Sequence, residues 1–515
     1  MSVSLSEHLP LLAEAPDGIK KLRGLIYELA ARGFLAEADS ETPAKIVRMG
    51  EVAEFVMGQA PPGSECNTNG VGTAFVKTGE FGERYPVIRE WTTRPLKFAK
   101  DGDVLICVVG ATVGKLNLGI DCAIGRSVAA IRPSNMIATS YLYVALVPFT
   151  LQLRAQSRGS AQGVIGKSEL GQVTIRLPPL AEQHRIVAKV DELMALCDRM
   201  EAEQADAEAA HATLVQTLLG TLTQSCDAAE LAANWQRLSQ HFDTLFTTEA
   251  SLDALKQTIL QLAVMGKLVP QESNDEPASE LLKRIAAEKA RLVGERRIRK
   301  DKPLAAIGLN ENPFELPKEW EWCRLGDLTL LVTDGTHHTP TYQPTGIAFI
   351  SVKDIDGNTV SFSDCKFIPE SEHQQINQRC NPERDDILLC RIGTLGRPTI
   401  VDTDRPFSLF VSVGLLKLPK TICLTPYIHK VLSSPLLASQ YEEIKAGGSH
   451  TNKLNLGDIP TLRIPLPPIA EQHRIVAKVD ELIALYDSLK ADLAESRARQ
   501  ARLASTLIES ALQAA

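Results

Sequence analysis

No run of about 18 apolar residues occurs anywhere in the chain, so nothing in it reads as a membrane span. The opening segment MSVSLSEHLPLLAEAPDG has acidic residues and two prolines but no basic stretch ahead of an apolar one. That pattern does not fit a secretory leader, and the expected location is the cytoplasm. The ten cysteines (Cys66, Cys107, Cys122, Cys197, Cys226, Cys323, Cys365, Cys380, Cys390 and Cys423) form no C-x-x-C pair. Scattered in this way they predict reduced thiols packed as small hydrophobes, with neither a zinc site nor a disulfide framework.

Catalytic motifs are also missing. GVIGKS (163–168) has the end of a phosphate loop, but Ala161 stands where the pattern requires glycine. Asn312-Pro313-Phe314 lacks the second proline of the Asn-Pro-Pro-aromatic loop of adenine methyltransferases, and no Gly-rich cofactor fingerprint precedes it. His337 and His338 are adjacent and so point in different directions along a strand, with no third metal ligand placed by spacing. The expectation is a non-catalytic chain with no metal and no cofactor of its own.

The net charge of −8 argues against a nucleic-acid partner until its distribution is considered. Residues 44–177 carry 15 Lys and Arg against 10 Asp and Glu, whereas residues 178–250 carry 4 against 12. The acid is concentrated in a helical segment. Residues 320–466 carry 14 basic against 16 acidic residues and are close to neutral.

What the chain does contain is a strong internal repeat. LPPLAEQHRIVAKVDELMAL (177–196) and LPPIAEQHRIVAKVDELIAL (466–485) are identical at 18 of 20 positions, at an offset of 289. Upstream, DVLICVVG (103–110) matches DILLCRIG (386–393), and VRMGEV (47–52) matches CRLGDL (323–328). IKKLRGLIYELAARGFL (19–35) matches LDALKQTILQLAVMGKL (252–268), pairing Gly33 with Gly266. The whole chain is thus two copies of one plan: short helix, globular domain, long helix.

A 4-3 spacing places Ile186, Val190, Leu193, Cys197, Met200, Leu214 and Leu218 on one face of the first long helix. In the second the same register visits Ile475, Val479, Leu482, Tyr486, Leu489, Leu493, Leu503 and Leu507. Heptads sustained over this length predict a coiled-coil seam, and Pro178-Pro179 and Pro467-Pro468 suit the helix starts. His211 and Gln500 fall in the seam and read as structural polar residues. Between the helices, short runs such as DGDVLICVVGATVG, GIAFISVKDI and FSLFVSVGLLKL are rich in Val, Ile and Phe and broken by Gly and Asp. They predict strands of mixed α/β domains. Residues 269–318 have no counterpart in the first copy and include a charged helix whose basic residues from Lys289 to Lys302 read mainly as a solvated face.

The duplicated plan, with P-P-x-A-E-Q-x-R-I at each long helix and LKQTILQLAVMGKLVPQ between, resembles the specificity subunits of type I restriction-modification systems over nearly the whole chain. The resemblance implies an α+β chain with two mixed α/β target-recognition domains, separated by an antiparallel coiled coil and related by a pseudo-twofold axis. The boundaries are 1–43 for an amino-terminal helical segment, 44–177 for the first recognition domain, and 178–250 for the first spacer helix region. A central helical segment and linker (251–319), a second recognition domain (320–466) and a second spacer helix region (467–515) complete the chain. It also implies double-stranded DNA, two methyltransferase subunits and restriction subunits as partners, with S-adenosylmethionine, ATP and magnesium in those partners. Polar and basic loop residues are the candidate DNA contacts: Lys77, Arg84, Lys115, Arg126, Ser160, Gln162 and Lys167 in the first domain. In the second they are Thr336, His337, His338, Lys353, Arg391, Ser449, His450, Thr451, Asn452 and Lys453. The competing readings are a helical scaffold that reads no sequence and an enzyme whose site is hidden in the duplicated domains.

Overall fold

In each copy of the repeated plan the globular region has its first strand paired with its last. Lys45–Arg48 lies antiparallel to Thr174–Leu177, and Glu321–Arg324 lies antiparallel to Arg463–Leu466, so each domain is closed where its chain enters and leaves. A buried tyrosine locks both closures: the Tyr141 hydroxyl donates to the Arg176 carbonyl at 2.8 Å, and Tyr427 donates to Pro465 at 2.7 Å. The computed structural model describes residues 12–36, 43–157, 165–300, 302–308, 311–446 and 452–513. The chain divides into two units, Met1–Glu208 with Ala494–Ala515, and Ala209–Leu493.

Within the first unit, a four-stranded sheet runs in the order Ala53–Met57, Val128–Pro133, Val104–Cys107, Leu116–Leu118. Val104–Cys107 is buried at every position, as an unbroken apolar run in a central strand must be. A second sheet pairs Thr73–Val76 in parallel with Cys122–Ile124. The second unit repeats this plan. Its four-stranded sheet orders Leu331–Asp334, Val413–Lys417, Ile387–Cys390 and Gly396–Ile400, and Ile347–Ile350 lies parallel to Phe407–Leu409. Helix and sheet are mixed in both units, as expected.

The short repeated helices, Gly18–Arg32 and Glu249–Val264, run out at Gly33 and Gly266, whose φ angles of +88° and +69° favour glycine. That requirement explains why both copies place glycine there. The long helices, Leu180–Gln224 and Ile469–Gln513, each have 45 residues, which is about 67 Å of helix. In their shared AEQ segment the glutamine ties the helix to its Pro-Pro entry: Gln183 Nε2 donates to the Pro178 carbonyl and Gln472 Nε2 to that of Pro467. The glutamates are buried too. Glu182 pairs with Arg176 at 2.7 Å, and Glu471 accepts from Trp320 Nε1 and Gln271 Nε2 while its burial holds its pKa above the usual carboxylate value.

Burial along the long helices departs from the strict 4-3 spacing. Ile186, Val190, Leu193, Cys197, Ile475 and Val479 are buried, and Met200, Leu218, Leu482, Leu489 and Leu507 are half-buried. Leu214 and Leu503, however, are 51% and 54% exposed, and Val215 and Ala504 are buried in their place. The shift of one residue has a simple cause. A straight helix falls about 20° behind a heptad repeat every seven residues, so four heptads accumulate about 80°, nearly one residue's rotation. The buried positions therefore recur 29 apart: Ile186 and Val215, Val190 and Leu219, Ile475 and Ala504. His211 is half-buried and Gln500 exposed.

The inserted segment forms helix Ala278–Gly294, which buries Leu281, Ile285 and Leu292. Its charged face is laced by Lys283–Glu280, Arg284–Glu276 and Arg291–Glu288 pairs.

Candidate nucleic-acid interface

In the second domain several loops leave the sheet at one end. Strand Leu331–Asp334 stops there, Ile387–Cys390 stops there, and Val413–Lys417 starts there. Backbone bonds stitch the loops together: Val411 N–H to Thr336 O, Arg391 N–H to Ser412 O, Gly393 N–H to Asn452 O, and Leu454 N–H to Arg391 O. Thr336, His337, His338, Arg391, Asn452 and Lys453 are thereby gathered from three separate stretches of sequence. Lys353 follows the adjoining strand, whose Ile350 carbonyl accepts from Phe410 N–H. Its ammonium is 3.1 Å from both Asp354 and Asp364, and hydrogen bonds to these carboxylates raise its pKa.

Beneath the loops sits Asp334, 1% exposed. It accepts from Arg391 Nη1 at 2.6 Å, from Arg379 Nη2 at 2.9 Å, and lies 3.0 Å from His337 Nε2. Arg391 also donates to the carbonyls of Val411 and Leu454 and is only 3% exposed. This corrects the expectation of Arg391 as an exposed contact. A carboxylate out of water needs a charged partner, and that need turns the guanidinium inward. Thr336 is buried as well, its hydroxyl 2.9 Å from His338 Nδ1. His337, His338, Asn452 and Lys453 remain exposed.

The first domain repeats the end-loop arrangement: Ile165 N–H donates to Val108 O, Val108 N–H to Ser127 O, and Gln59 N–H to Ile124 O. Lys77, Lys115 and Arg126 lie at this end, and Lys167 opens the exposed start of helix Lys167–Gln172. Lys77 pairs with Glu90, a hydrogen bond that raises its pKa, and stands 5.7 Å from the Phe75 ring centroid. Arg84 does not join them. Its carbonyl accepts from Leu118 N–H at the far end of the sheet, and its guanidinium is 3.5 Å from Asp191 on the long helix. Ser160, Gln162, Ser449, His450 and Thr451 lie outside the described residues.

Asp334 and Arg379 were not singled out from the sequence. They are far apart in the chain, and no periodicity links the end of a strand to a loop after a short helix. The equivalent of the Asp334–Arg391 pair in the first domain is Met57 and Val108, placed there by matching strand registers and by the shared bond from the following segment.

A family model described as the type I restriction modification DNA specificity domain matches residues 42–209 and 317–495. The type I restriction enzyme EcoAI specificity subunit of Escherichia coli is 34% identical, over 96% of this chain and 94% of its own length. The chain belongs to the type I restriction enzyme specificity subunits. The EcoEI specificity subunit of Escherichia coli is 39% identical over 69% of this chain and 61% of its own. A solved chain of a type I restriction-modification system, 18% identical, shares the fold with a TM-score of 0.52 over 93% of this chain and 99% of that one. As a specificity subunit the chain supplies DNA sequence recognition, is non-catalytic and needs no cofactor itself; DNA and the other subunits of a restriction-modification complex are its partners.

Proposed function

We propose that residues 44–177 and 320–466 are two independent target-recognition domains, each reading one half of a split DNA target. The observation that carries this reading is the repetition of one strand plan, with loops that meet at the corresponding end of each sheet but carry different side chains. Lys77, Lys115, Arg126 and Lys167 in the first domain, and His337, His338, Lys353, Asn452 and Lys453 in the second, are the candidate contacts among the described residues. Ser160, Gln162, Ser449, His450 and Thr451, which lie outside the described residues, are further candidates from the sequence. Base edges in the major groove distinguish all four base pairs, whereas phosphate contacts fix register.

The two long helices pair antiparallel, space the domains and dock two methyltransferase subunits, giving the chain an approximate twofold axis. Half-targets about one helical turn apart, on the order of 34 Å, would then face the same side of the duplex. The restriction subunits join this core, and S-adenosylmethionine, ATP and magnesium act in the partner subunits. The near-neutral second domain leaves much of the phosphate binding to those partners.

Replacing residues 44–177 with the matching domain of a relative tests this. Sequencing methylated bases in cells should show one half-target changed and the other retained. If both halves change together, the two domains are not separate readers.

A further inference from the structure

We infer that Arg379 is a base-reading residue of the second half-target, aimed by the buried carboxylate of Asp334; the inference rests on the proposed role of the second domain. Arg379 follows helix Glu370–Asn377 and reaches across to the end of strand Leu331–Asp334. Its Nη2 alone makes the attachment, donating to the Asp334 carbonyl at 2.8 Å, to Asp334 Oδ1 at 2.9 Å and to the Gly335 carbonyl at 2.6 Å. Nε and Nη1 make no hydrogen bond among the described residues, and the side chain is 53% exposed. Nη2, the nitrogen common to both donor pairs of the guanidinium, is the anchor, and Nε and Nη1 are left to donate singly.

The anchor is stiff. Asp334 is held from below by Arg391, which also fastens the neighbouring segments through Val411 O and Leu454 O. Gly335 is hemmed in so closely that a Cβ there would stand 2.0 Å from the Leu409 carbonyl oxygen. An arginine whose guanidinium plane is held before binding loses less freedom on contact, and an N–H left outside the anchor can donate to the N7 acceptor of guanine. Charge points the same way. Two guanidiniums share one carboxylate, so the cluster keeps an excess positive charge before His337 is counted. That excess draws an acceptor-rich edge to the surface where the candidate loops converge.

The first domain has no such device, since Met57 and Val108 stand at the positions of Asp334 and Arg391. Arg379 is therefore expected to act on one half-target only. Asp334 and Arg391 act through it as positioning residues.

The test uses the assembled methyltransferase complex with wild-type chain, Arg379→Ala or Arg379→Lys. Binding is measured in competition against duplexes in which each guanine of the target is replaced, one at a time, by 7-deazaguanine, which lacks the N7 acceptor. Wild type should lose about tenfold in affinity at one guanine of the second half-target, the worth of one hydrogen bond from a charged donor. Both variants should be insensitive to that substitution while keeping full discrimination across the first half-target, which reports that the complex is folded and assembled. Lysine keeps the charge but has no guanidinium for Asp334 and Gly335 to hold, so its failure to discriminate separates base reading from simple attraction. Uniform weakening with every duplex, together with a shallower salt dependence, would reassign Arg379 to a phosphate and overturn the inference. Unchanged discrimination would overturn it too. A wild-type complex without a split target would instead remove the underlying reading of the two domains.

Discussion

Asp334 and Arg391 form a buried pair where the first domain places Met57 and Val108, and the comparison defines a thermodynamic cycle. Arg391→Val leaves a carboxylate out of water with Arg379 and His337 as its remaining partners, and Asp334→Met leaves a buried guanidinium. Each single change should destabilise the second domain by about 3 kcal/mol, the low end for breaking a buried ion pair, because other groups compensate in part. The double variant, which recreates the apolar pair, should cost less than either single one. Amide exchange in strands Leu331–Asp334 and Ile387–Cys390 measures this; additive losses would show that the two side chains are not coupled. Cysteine chemistry is a second matter of residue environment. Eight of the ten thiols are buried, and burial pushes those of Cys122, Cys380 and Cys423 up to about 12 and that of Cys390 to about 11. Since the thiolate is the reactive form, iodoacetamide should label exposed Cys226 first and half-buried Cys66 next in the native chain. Early labelling of Cys390 would contradict its packing.

At the scale of elements, the repeated runs of Val, Ile and Phe were legible as strands and the Pro-Pro starts as helix starts. The buried face of each long helix was legible only to within one residue, because a heptad template assumes supercoiling whereas burial in these helices follows the 3.6-residue turn. That distinction bears on spacer length. Seven residues inserted after Gln204 and after the matching Leu493 lengthen each helix by about 10 Å, or roughly three base pairs, and turn the downstream face by only about 20°. The gap between half-targets should lengthen accordingly with both half-sequences kept. A four-residue insertion turns the face by about 40° and should assemble less well. Sequencing methylated sites reads the gap directly; an unchanged gap in an assembled seven-residue variant would mean that the helices do not set it.

At the scale of the molecule, the repeat makes the halves interchangeable in principle. In one unit Ala504, Leu507 and Ile508 pack with Leu12 and Ala15, and Ile508, Ala511 and Leu512 join the cluster around Ile19, Leu22 and Ile26. In the other, Val215, Leu219 and Leu222 pack in the cluster around Leu252, Leu255 and Ile259. The offset of 289 maps Val215 onto Ala504 and Leu222 onto Ala511. A fragment of residues 1–225 should therefore assemble as a homodimer with its methyltransferase partner and modify an inverted repeat of the first half-target. Valine and leucine in place of the alanines overfill the contact, at roughly 1–3 kcal/mol. Val215→Ala with Leu222→Ala should then tighten the dimer. Mass measurement of the complex and sequencing of its sites check both points, and a folded dimer that still marked an asymmetric target would refute the twofold arrangement. The sequence alone determined the duplicated plan, the helix starts and the family, because self-similarity and periodicity are properties of a chain in one dimension. Only the tertiary structure decided that Arg84 lies apart, that Arg391 turns inward and that Arg379 meets Asp334. Those outcomes depend on strand order and register, which bring distant loops to one end of a sheet, and on the cost of leaving a buried charge without a partner.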